Sequence, residues 1–161
     1  MPNWCSNTLR LRSTKEKVSE LNSFLDERNG KDFFDAFVAN AKDAGEEENF
    51  YSYNLEHYGC KWNCDASDWM LENDGESIFI TFDSPWGPPA TLYYTLVDEE
   101  WEVEAEYHEP GVGFVGRFKD GIDEFYEYDM DDENCLDDIP EELLENWCIR
   151  EQFEDWERGE E

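Results

Sequence analysis

The chain has 161 residues, of which 43 are acidic and only 12 are Lys or Arg, so its formal net charge is −31. This balance excludes nucleic-acid binding through a basic patch, because no cluster of bases is large enough to displace phosphate counterions, and it disfavours anionic membranes for the same reason. Because 16% of the residues are aromatic and each buried ring removes roughly 150–250 Å² from water, we predict a folded protein with an aromatic core rather than a disordered acidic chain.

The opening residues and the cysteine content both favour a cytoplasmic protein. Residues 1–5 contain no basic flank ahead of an apolar stretch, and no apolar run approaches the roughly 20 residues of a membrane span. The cysteines are odd in number and form no dense framework, which favours reduced thiols over disulfides. We therefore expect a cytoplasmic protein that does not associate with membranes.

The first third of the chain predicts a strand, a helix and an inserted segment. Residues 3–12 alternate between apolar and polar positions, as in a half-buried strand. A capping-box pattern begins at Ser13 and precedes apolar residues at helical spacing, which predicts a helix that ends near Gly30. Residues 32–44 predict a second short amphipathic helix, and residues 45–65 predict an irregular aromatic segment.

The middle of the chain predicts a hairpin, a helix and a strand. Apolar stretches at 69–71 and 78–82 flank a turn with Asp74-Gly75, a pair that favours a hairpin. The prolines of residues 85–89 end the second strand and are compatible with the first turn of a following helix. Between residues 101 and 107, the apolar residues Trp101, Val103, Ala105 and Tyr107 alternate with glutamates. This is the clearest strand pattern in the chain.

The last part of the chain predicts a second hairpin and an acidic helix. Residues 112–119 and 122–130 flank Asp120-Gly121, which again favours a hairpin. Asp138 is a candidate helix cap, with Pro140 in the first turn. The predicted helix carries Leu143, Leu144, Trp147, Phe153 and Trp156 on one side.

The order of predicted elements defines the fold class. Strand, helix, strand, strand, helix, strand is the split βαβ order of an α+β, ferredoxin-like fold, with an antiparallel sheet and two helices on one face. We expect one domain over residues 1–161. It comprises a ferredoxin-like core at 1–108, an inserted segment at about 30–65, and an extension at 109–161 that contains the hairpin and the acidic helix.

Four short motifs distinguish roughly the first 120 residues. They are Met1-Pro2-Asn3-Trp4-Cys5-Ser6-Asn7, Gly59-Cys60-Lys61-Trp62-Asn63, Phe82-Asp83-Ser84-Pro85-Trp86-Gly87-Pro88-Pro89, and Tyr107-His108-Glu109-Pro110-Gly111-Val112-Gly113-Phe114-Val115-Gly116. In this order they resemble a family of phage and plasmid proteins named after YubB, which is described as ferredoxin-like. The resemblance implies a ferredoxin-like fold and a mobile-element setting, and it supplies no catalytic residues.

Alternating glutamates form the main candidate site. We call Glu100, Glu102, Glu104 and Glu106 the glutamate row, because alternate strand positions place side chains about 6.7 Å apart on one face. Each DNA strand presents one phosphate per about 3.4 Å, so two neighbouring acidic rows would approximate its charge density. The second row is predicted from the hairpin and the turn after it, at Asp123, Glu127, Asp129, Asp131, Asp132 and Glu133.

Ion pairing within the sheet is the alternative interpretation of the glutamate row. In a split βαβ sheet the last strand lies beside the first, so Arg10 and Arg12 are placed to pair with these glutamates, as Arg117 is with Glu124. An acidic surface adapted to high salt is a further alternative. Pairing does not account for the total charge, because 12 bases cannot neutralise 43 acids.

Patterns for metal binding and catalysis are weak. His57, Cys60 and Cys64 would supply three zinc ligands, but the paired C-x2-C units typical of zinc sites are missing, and metal binding there stays open. An EF-hand loop beginning at Asp129 would need its closing glutamate where Pro140 stands. The sequence has no phosphate-binding glycine loop followed by a helix and no nucleophile elbow. We expect no cofactor and no enzymatic activity.

These observations predict an acidic binding protein that imitates nucleic acid. The expected partner is a basic nucleic-acid-binding protein or defence complex of the host, whose channel is occluded, as by an anti-CRISPR or anti-restriction inhibitor. Trp147, Phe153 and Trp156 are candidate aromatic anchors if they are exposed. Direct binding to nucleic acid is not expected, and the oligomeric state is open. The main alternative is a regulatory or interaction module that binds a basic host or phage protein without imitating nucleic acid.

Overall fold

The computed structural model describes residues 2–159 and shows an α+β protein built on a six-stranded antiparallel sheet. The strands are β1 (Trp4–Arg12), β2 (Ala66–Glu72), β3 (Ser77–Pro85), β4 (Glu102–Glu109), β5 (Phe114–Lys119) and β6 (Ile122–Glu127). The α-helices are α1 (Lys15–Arg28), α2 (Phe50–His57), α3 (Ala90–Asp98), α4 (Glu141–Asn146) and α5 (Ile149–Gly159). Short 3-10 helices occupy Phe33–Ala36, Glu47–Asn49, Asn73–Gly75 and Glu133–Asp138. Within residues 2–159, no helix combines the length and the apolar character needed to cross a bilayer.

The strand order across the sheet is β2-β3-β1-β4-β5-β6, and every neighbouring pair is antiparallel. The connection from β1 to β2 contains α1, and the connection from β3 to β4 contains α3. Both helices pack on the same face, which we call the helix face, because the main hydrophobic core joins their apolar side chains to those of the sheet. The first four strands are consistent with the ferredoxin-like arrangement expected from the sequence.

β1 and α1 form where the sequence predicts them. Alternate residues of β1 are buried, and Leu9 and Leu11 are fully inaccessible on the helix face. α1 follows Thr14, whose hydroxyl oxygen accepts a hydrogen bond from the backbone N–H of Lys17 at 3.2 Å. Thr14 rather than Ser13 is therefore the N-cap, one residue later than the capping-box pattern indicates.

The helix predicted over residues 32–44 is wrong, because this region forms only the 3-10 helix Phe33–Ala36 among turns. Asp32 adopts a left-handed backbone with φ 48°. Phe33 and Phe34 are both fully buried, and their ring centroids lie 4.8 Å apart. The backbone N–H groups of Phe33 and Phe34 donate to the Cys64 carbonyl and to Asn63 Oδ1, at 3.0 and 3.1 Å, so hydrogen bonds to a distant segment fix this irregular path.

Helix α2 lies inside residues 45–65, which the sequence predicts to be irregular, so that prediction is also wrong. The buried Asn54 anchors the helix, because its side-chain amide donates to the carbonyl of Lys61 at 2.8 Å. Phe50 and Tyr51, in contrast, are exposed. The apolar pattern misses this helix because the buried position is polar and these aromatic residues face solvent.

The two predicted hairpins are confirmed. β2 and β3 pair around the 3-10 turn, in which Asp74 has φ 57°. β5 and β6 are joined by Asp120 and Gly121, with φ values of 51° and 87°. Positive φ at both central residues is typical of a type I′ turn, whose twist matches that of the flanking strands.

The C-terminal extension contains a 3-10 helix and two short α-helices instead of one predicted helix. Asp138 ends the 3-10 helix, so it does not cap α4, which follows Pro140. Cys148 has a left-handed backbone with φ 54° and separates α4 from α5. The bend between the two helices brings Leu143 and Phe153 into the same cluster, so packing overrides the continuous periodic pattern.

A second hydrophobic core holds this extension against the sheet. Val115 of β5 belongs to the second core, whereas Phe118 of the same strand belongs to the main core. Their odd spacing places them on opposite faces of β5. The extension therefore covers β5 on the face opposite to α1 and α3, which we call the outer face. The other buried members of this core are Tyr128, Leu136, Ile139, Leu143, Leu144, Ile149 and Phe153.

Candidate functional site

The outer face of the sheet carries most of the glutamate row. The residues that alternate with Glu102, Glu104 and Glu106 in β4 are buried, and those in the main core place the three glutamates on the outer face. Glu100 lies before β4, in a turn with φ 70°. The assignment of Glu100 to the row is therefore wrong, because the strand begins two residues later.

Arginines of β1 neutralise part of the row. Arg12 Nε lies 3.8 Å from Glu102 Oε2, and Arg10 Nη1 lies 4.0 Å from Glu104 Oε2. Arg10 Nε also donates to Glu72 Oε1 at 2.8 Å, and this bond raises the pKa of the Arg10 guanidinium. The cross-strand pairing expected as the alternative interpretation is therefore confirmed for two glutamates of the row.

Glu106 contacts the C-terminal extension. Its carboxylate accepts hydrogen bonds from Asn146 Nδ2 at 3.1 Å and from Trp147 Nε1 at 3.2 Å. The indole of the half-buried Trp147 therefore already has a hydrogen-bond partner inside the protein. Of the other two candidate anchors, Phe153 is buried and Trp156 is exposed. Only Trp156 retains the accessibility that an anchor for a partner needs.

The second predicted row does not adjoin the first, because Asp123 and Glu127 lie on the helix-face side of β6. Asp123 is opposite Phe118, whose ring belongs to the main core. Asp123 Oδ1 also accepts a hydrogen bond from the Tyr107 hydroxyl at 2.7 Å. Tyr107 follows Glu106, and neighbouring strand residues point to opposite faces. The prediction of two adjacent rows is therefore wrong by one residue of register.

Glu124 occupies an outer-face position of β6, with Arg117 of β5 between it and Glu106. Arg117 Nε lies 2.7 Å from Glu124 Oε2, so the predicted pair is confirmed. Arg117 Nη1 lies 3.3 Å from Glu142 Oε2 of α4. The hydrogen bond to Glu124 raises the pKa of the Arg117 guanidinium. The outer face is consequently a mixed surface in which acids and arginines contact each other.

The remaining predicted residues form an exposed turn after β6. We call Asp129, Asp131, Asp132 and Glu133 the acidic turn. Asp129 Oδ1 accepts the backbone N–H of Asp131 at 2.9 Å, and Asp132 Oδ1 accepts that of Asn134 at 3.1 Å. All four acidic side chains are exposed, and no ion pair in residues 2–159 includes them. Here the predicted carboxylates face solvent and form no ion pair with any side chain of the described chain.

Hydrogen bonds join the first and third sequence motifs at one end of the sheet, an arrangement that sequence reasoning missed. Asn7 Nδ2 donates to Ser84 Oγ at 2.8 Å. The backbone N–H of Trp86 donates to the carbonyl of Asn3 at 2.8 Å. Met1, with which the first motif begins, lies outside the described residues.

Glycines allow the second and fourth motifs to approach their neighbours. A Cβ at Gly59 would lie 2.8 Å from the backbone nitrogen of Thr91, and one at Gly111 would lie 2.7 Å from Glu109 Oε1. The buried Glu109 accepts hydrogen bonds from the backbone N–H groups of Gly111 and Val112, at 2.5 and 2.8 Å. The carboxylate thereby closes the turn between β4 and β5.

His108 of the fourth motif is buried and neutral. Its Nε2 lies 2.6 Å from the Tyr128 hydroxyl, which donates to Gln152 Oε1 at 3.3 Å. The Tyr128 hydroxyl donates its proton to Gln152, so its oxygen is left to accept a hydrogen bond from His108. We therefore assign the ring proton of His108 to Nε2. Burial lowers the pKa of His108 to about 4 and raises that of Tyr128 to about 12. This chain of groups connects β4 to α5.

Three exposed tryptophans lie in three of the motifs. Trp4, Trp62 and Trp86 are 46%, 39% and 41% exposed, and we call them the tryptophan cluster. The rings of Trp4 and Trp62 meet edge to face, with centroids 5.9 Å apart and an interplanar angle of 71°. Lys61 Nζ lies 4.9 Å from the ring centroid of Trp86. Exposed tryptophans are typical of recognition surfaces, because they offer a large contact area with few rotatable bonds.

His57, Cys60 and Cys64 do not converge as zinc ligands. The buried thiols of Cys60 and Cys64 lie 3.3 and 3.7 Å from the carbonyl oxygen of Trp62, while the His57 ring packs on Tyr53 with centroids 4.2 Å apart. The adjacent Cys60 thiol and burial raise the pKa of Cys64. In the described part of the chain, no three His, Cys, Asp or Glu side chains are placed to hold a metal ion. All cysteines carry free thiols.

Comparison with known proteins gives one structural similarity. No family model matches the chain, and no curated protein matches it in sequence. The chain is similar to the crystal structure of a protein named api92 from Yersinia pseudotuberculosis, described with the family model DUF1281. The identity is 11% and the TM-score 0.44, over 80% of this chain and 99% of that chain. A likeness at this level assigns no function.

Proposed function

We propose that the protein is a non-enzymatic, cytoplasmic binding protein whose acidic C-terminal surface contacts a basic partner. The exposed and unpaired acidic turn carries this proposal. No arginine in residues 2–159 is free to neutralise the acidic turn, since each one is already in an ion pair with another acid. Much of the formal charge of −31 is thus available to attract a partner.

The proposed partner is a host protein or complex with a basic channel for nucleic acid. Carboxylates attract such a channel over a distance set by salt, roughly 8 Å at physiological ionic strength. Once bound, the acidic surface occupies the channel and excludes nucleic acid, which makes the protein an inhibitor of the anti-restriction or anti-CRISPR type. Neither nucleic acid nor a membrane is a direct ligand in this proposal.

We infer a mobile-element setting for the protein from the resemblance of its sequence motifs. We infer that β1 to β4, with α1 and α3, form a ferredoxin-like core and that the chain belongs to the family named after YubB. The strand order β2-β3-β1-β4 supports the first inference. The second inference rests on the resemblance of the four motifs, of which the first and third are joined by hydrogen bonds. In such a setting a host defence complex is the natural target.

An interaction module that binds a basic protein without imitating nucleic acid is the second candidate. The opposite facing of Glu106 and Asp123 favours it, because the predicted pair of adjacent acidic rows is absent from the described sheet. The tryptophan cluster also supplies a contact surface that charge mimicry does not use.

A competition assay tests the leading proposal. Labelled duplex DNA or RNA is bound to a restriction or CRISPR-type complex of the host, and the protein is titrated at low and moderate salt. We expect displacement that weakens as salt rises. An amide variant of the acidic turn should compete about tenfold less well, because it loses four negative charges while its amide oxygens still accept the hydrogen bonds of the turn. Its substitutions are Asp129→Asn, Asp131→Asn, Asp132→Asn and Glu133→Gln.

A matched control removes four charges elsewhere on the surface. The substituted residues are exposed and have no ion pair in residues 2–159: Glu20→Gln, Glu27→Gln, Glu48→Gln and Glu56→Gln. This variant should compete within about twofold of wild type, since its charges lie outside the proposed contact. Equal losses in both variants would contradict the assignment to the acidic turn. Failure to displace nucleic acid from any host defence complex at moderate salt would contradict mimicry itself.

A further inference from the structure

A cleft beside the tryptophan cluster combines aromatic walls with carboxylates. It has a volume of about 460 Å³, and Trp4 and Trp62 line it together with acidic residues. Trp4 belongs to β1 and Trp62 to the segment before β2, so the fold brings together residues from distant parts of the chain. The charged residues that line the cleft are Lys31, Asp32, Asp65 and Asp83. Three acids and one base leave the cleft with a net negative charge.

The carboxylates in the cleft retain free hydrogen-bond acceptors. Asp65 Oδ1 accepts the backbone N–H of Asp32 at 2.9 Å, and its other oxygen has no partner within residues 2–159. The side chain of Asp83 is exposed, and no hydrogen bond or ion pair in the described chain involves its carboxylate. Lys31 forms no ion pair there either, and as a single base it offsets only one of the three acids. The cleft is therefore ready to accept an external cation.

The shape of the cleft distinguishes among cations. A bare metal ion is disfavoured, because no three acidic, histidine or cysteine side chains of residues 2–159 converge on one point. Two indole rings at 71° instead offer a face and an edge to a flat or alkylated cation. The guanidinium of arginine is planar, stacks on aromatic rings and binds carboxylates in bidentate geometry, whereas the lysine ammonium is a compact and strongly hydrated point charge.

We propose that this cleft, which we call the tryptophan–aspartate cleft, binds an arginine side chain of a partner protein. The guanidinium stacks on Trp62 or Trp4 and pairs with the carboxylates of Asp65 and Asp83. This site is distinct from the acidic turn, and the inference goes beyond the proposed function because it names the residue that is recognised. The proposal applies both to a nucleic-acid-binding complex of the host and to another basic protein as the partner.

The position of the cleft fits a single binding surface. Ser6 of β1 is opposite His108 of β4, so the end of the sheet that carries Trp4 also carries the end of β4 and the start of β5. The acidic turn follows β6 at that same end. From β1 to β6 there are three strand spacings, or roughly 15 Å. A basic partner of ordinary size spans that distance, so steering by the acidic turn and docking of arginine in the cleft are compatible.

Titration with N-acetylarginine amide tests the proposal directly. The indole N–H signals of the ¹⁵N-labelled protein are followed by NMR, in about 0.3 M salt so that unspecific attraction is screened. We expect saturable shifts of the Trp4 and Trp62 signals, and an affinity about fivefold higher for the arginine amide than for N-acetyllysine amide. The acidic-turn amide variant should bind the arginine amide as wild type does, which separates this proposal from the proposed function.

Two pairs of variants localise the site. Trp62→Leu should weaken binding about fivefold or more, while Trp86→Leu, which removes another exposed tryptophan outside the lining of the cleft, should not. The double substitution Asp65→Asn and Asp83→Asn should weaken binding, and it keeps the oxygen that accepts the Asp32 N–H, so the fold is preserved. Its charge-matched control is Asp74→Asn with Glu76→Gln in the β2–β3 turn.

Two outcomes would overturn the arginine site. In one, both amides shift the indole signals equally and the variants change nothing, which indicates general attraction to an acidic protein. In the other, the arginine amide produces no saturable shift of Trp4 or Trp62 in the wild-type protein. Circular dichroism of each variant establishes that it is folded, and the aspartate pair provides the result if Trp62→Leu does not fold.

Discussion

The hydroxyl of Tyr107 donates to Asp123 Oδ1 at 2.7 Å, across the intervening strand β5. The contact is possible because β5 has Gly116 at the point where the Tyr107 ring passes. It places Asp123 on the opposite face from Glu106, which precedes Tyr107 in β4. Asp123 therefore faces away from the glutamates of β4, whereas its neighbour Glu124 shares their face. The Tyr107 ring also leaves no room for a side chain at Gly116 unless the strands shift.

Gly116→Ala should therefore destabilise the protein. An added Cβ would collide with the Tyr107 hydroxyl and would lie 2.5 Å from the backbone carbonyl oxygen of Glu124, so the strands would have to shift. We expect a loss of about 2 kcal/mol in the free energy of unfolding, measured by urea denaturation. The control Gly87→Ala meets nothing within 4 Å and should change stability by less than about 0.5 kcal/mol. Equal stability of the two variants would contradict the close packing at Gly116.

Burial of His108 predicts an acid-sensitive contribution to stability. Its pKa is lowered from 6.5 to about 4 in the folded protein, so between these values the unfolded chain binds a proton that the folded chain does not. The free energy of unfolding should therefore fall as pH decreases through this window, by up to about 3 kcal/mol, and the loss should stop below the folded pKa.

Comparison with His108→Gln isolates this effect from the carboxylates. Protonation of carboxylates relieves repulsion in so acidic a protein and acts in the opposite direction. The difference in unfolding free energy between wild type and variant is measured by urea denaturation from neutral pH to about pH 4. We expect wild type to lose stability relative to the variant as pH falls. A difference that is constant with pH, or an NMR titration of the His108 ring near its unfolded value, would contradict the assignment.

The glutamate row should contribute less to partner binding than the acidic turn. Glu102 and Glu104 lie beside arginines, and Glu106 accepts hydrogen bonds from the extension, so the row presents little unpaired charge. In the competition assay, the triple variant Glu102→Gln, Glu104→Gln and Glu106→Gln should stay within about threefold of wild type. If it competes worse than the acidic-turn variant, the outer face of the sheet is the contact surface instead.

The alternating strands could be predicted from the sequence because one buried face leaves a local pattern. The face of the sheet on which Asp123 lies could also be predicted from the sequence. With Asp120-Gly121 as a two-residue turn, Lys119 is opposite Ile122, so Asp123 is opposite the apolar Phe118 and shares its face. The overlooked signal was the turn length, which fixes which residues of β6 share a face with those of β5. The number of acidic residues in the strand does not contain this information.

The inserted segment and the tryptophan–aspartate cleft lacked such a local signal. Phe33 is buried against Phe82, with ring centroids 4.9 Å apart, so its environment is set by a strand far along the chain. The polar Asn54 occupies the buried position of α2. Likewise, Trp4 and Trp62 meet only after β1 and the segment before β2 are assembled. Tertiary packing, which periodicity does not describe, determines these parts of the molecule.

Thiol accessibility provides a test of the packing at the cysteines. Cys148 is exposed and Cys135 half-buried, whereas Cys5, Cys60 and Cys64 are buried. Burial also raises the pKa of Cys5 to about 12, which keeps it as an unreactive thiol. A colorimetric thiol reagent at neutral pH should modify one cysteine rapidly, a second more slowly and the other three only in denaturant. Cys148→Ser should remove the rapid phase, and rapid reaction of more than two thiols in the folded protein would contradict the core described above.

Asn7→Asp should be strongly destabilising at neutral pH, although it changes only one group. Asn7 is 2% exposed, and its Nδ2 donates to the Cys5 carbonyl at 2.9 Å and to Ser84 Oγ at 2.8 Å. Aspartate replaces this donor by a buried charge that faces the carbonyl oxygen, so we expect a loss of about 3 kcal/mol in the free energy of unfolding. Burial raises the folded pKa of such a carboxyl, so the folded state binds the proton more tightly and part of the stability should return as pH falls.

The control Asn49→Asp adds the same charge at an exposed position and should change stability by less than about 0.5 kcal/mol. Comparison of the two variants by urea denaturation at neutral pH and near pH 5 separates burial from net charge, because both proteins carry one added carboxylate. Equal losses at neutral pH would attribute the effect to repulsion in an acidic protein. A large loss at Asn7 alone, which decreases in acid, would support the burial of this side chain between the first and third motifs.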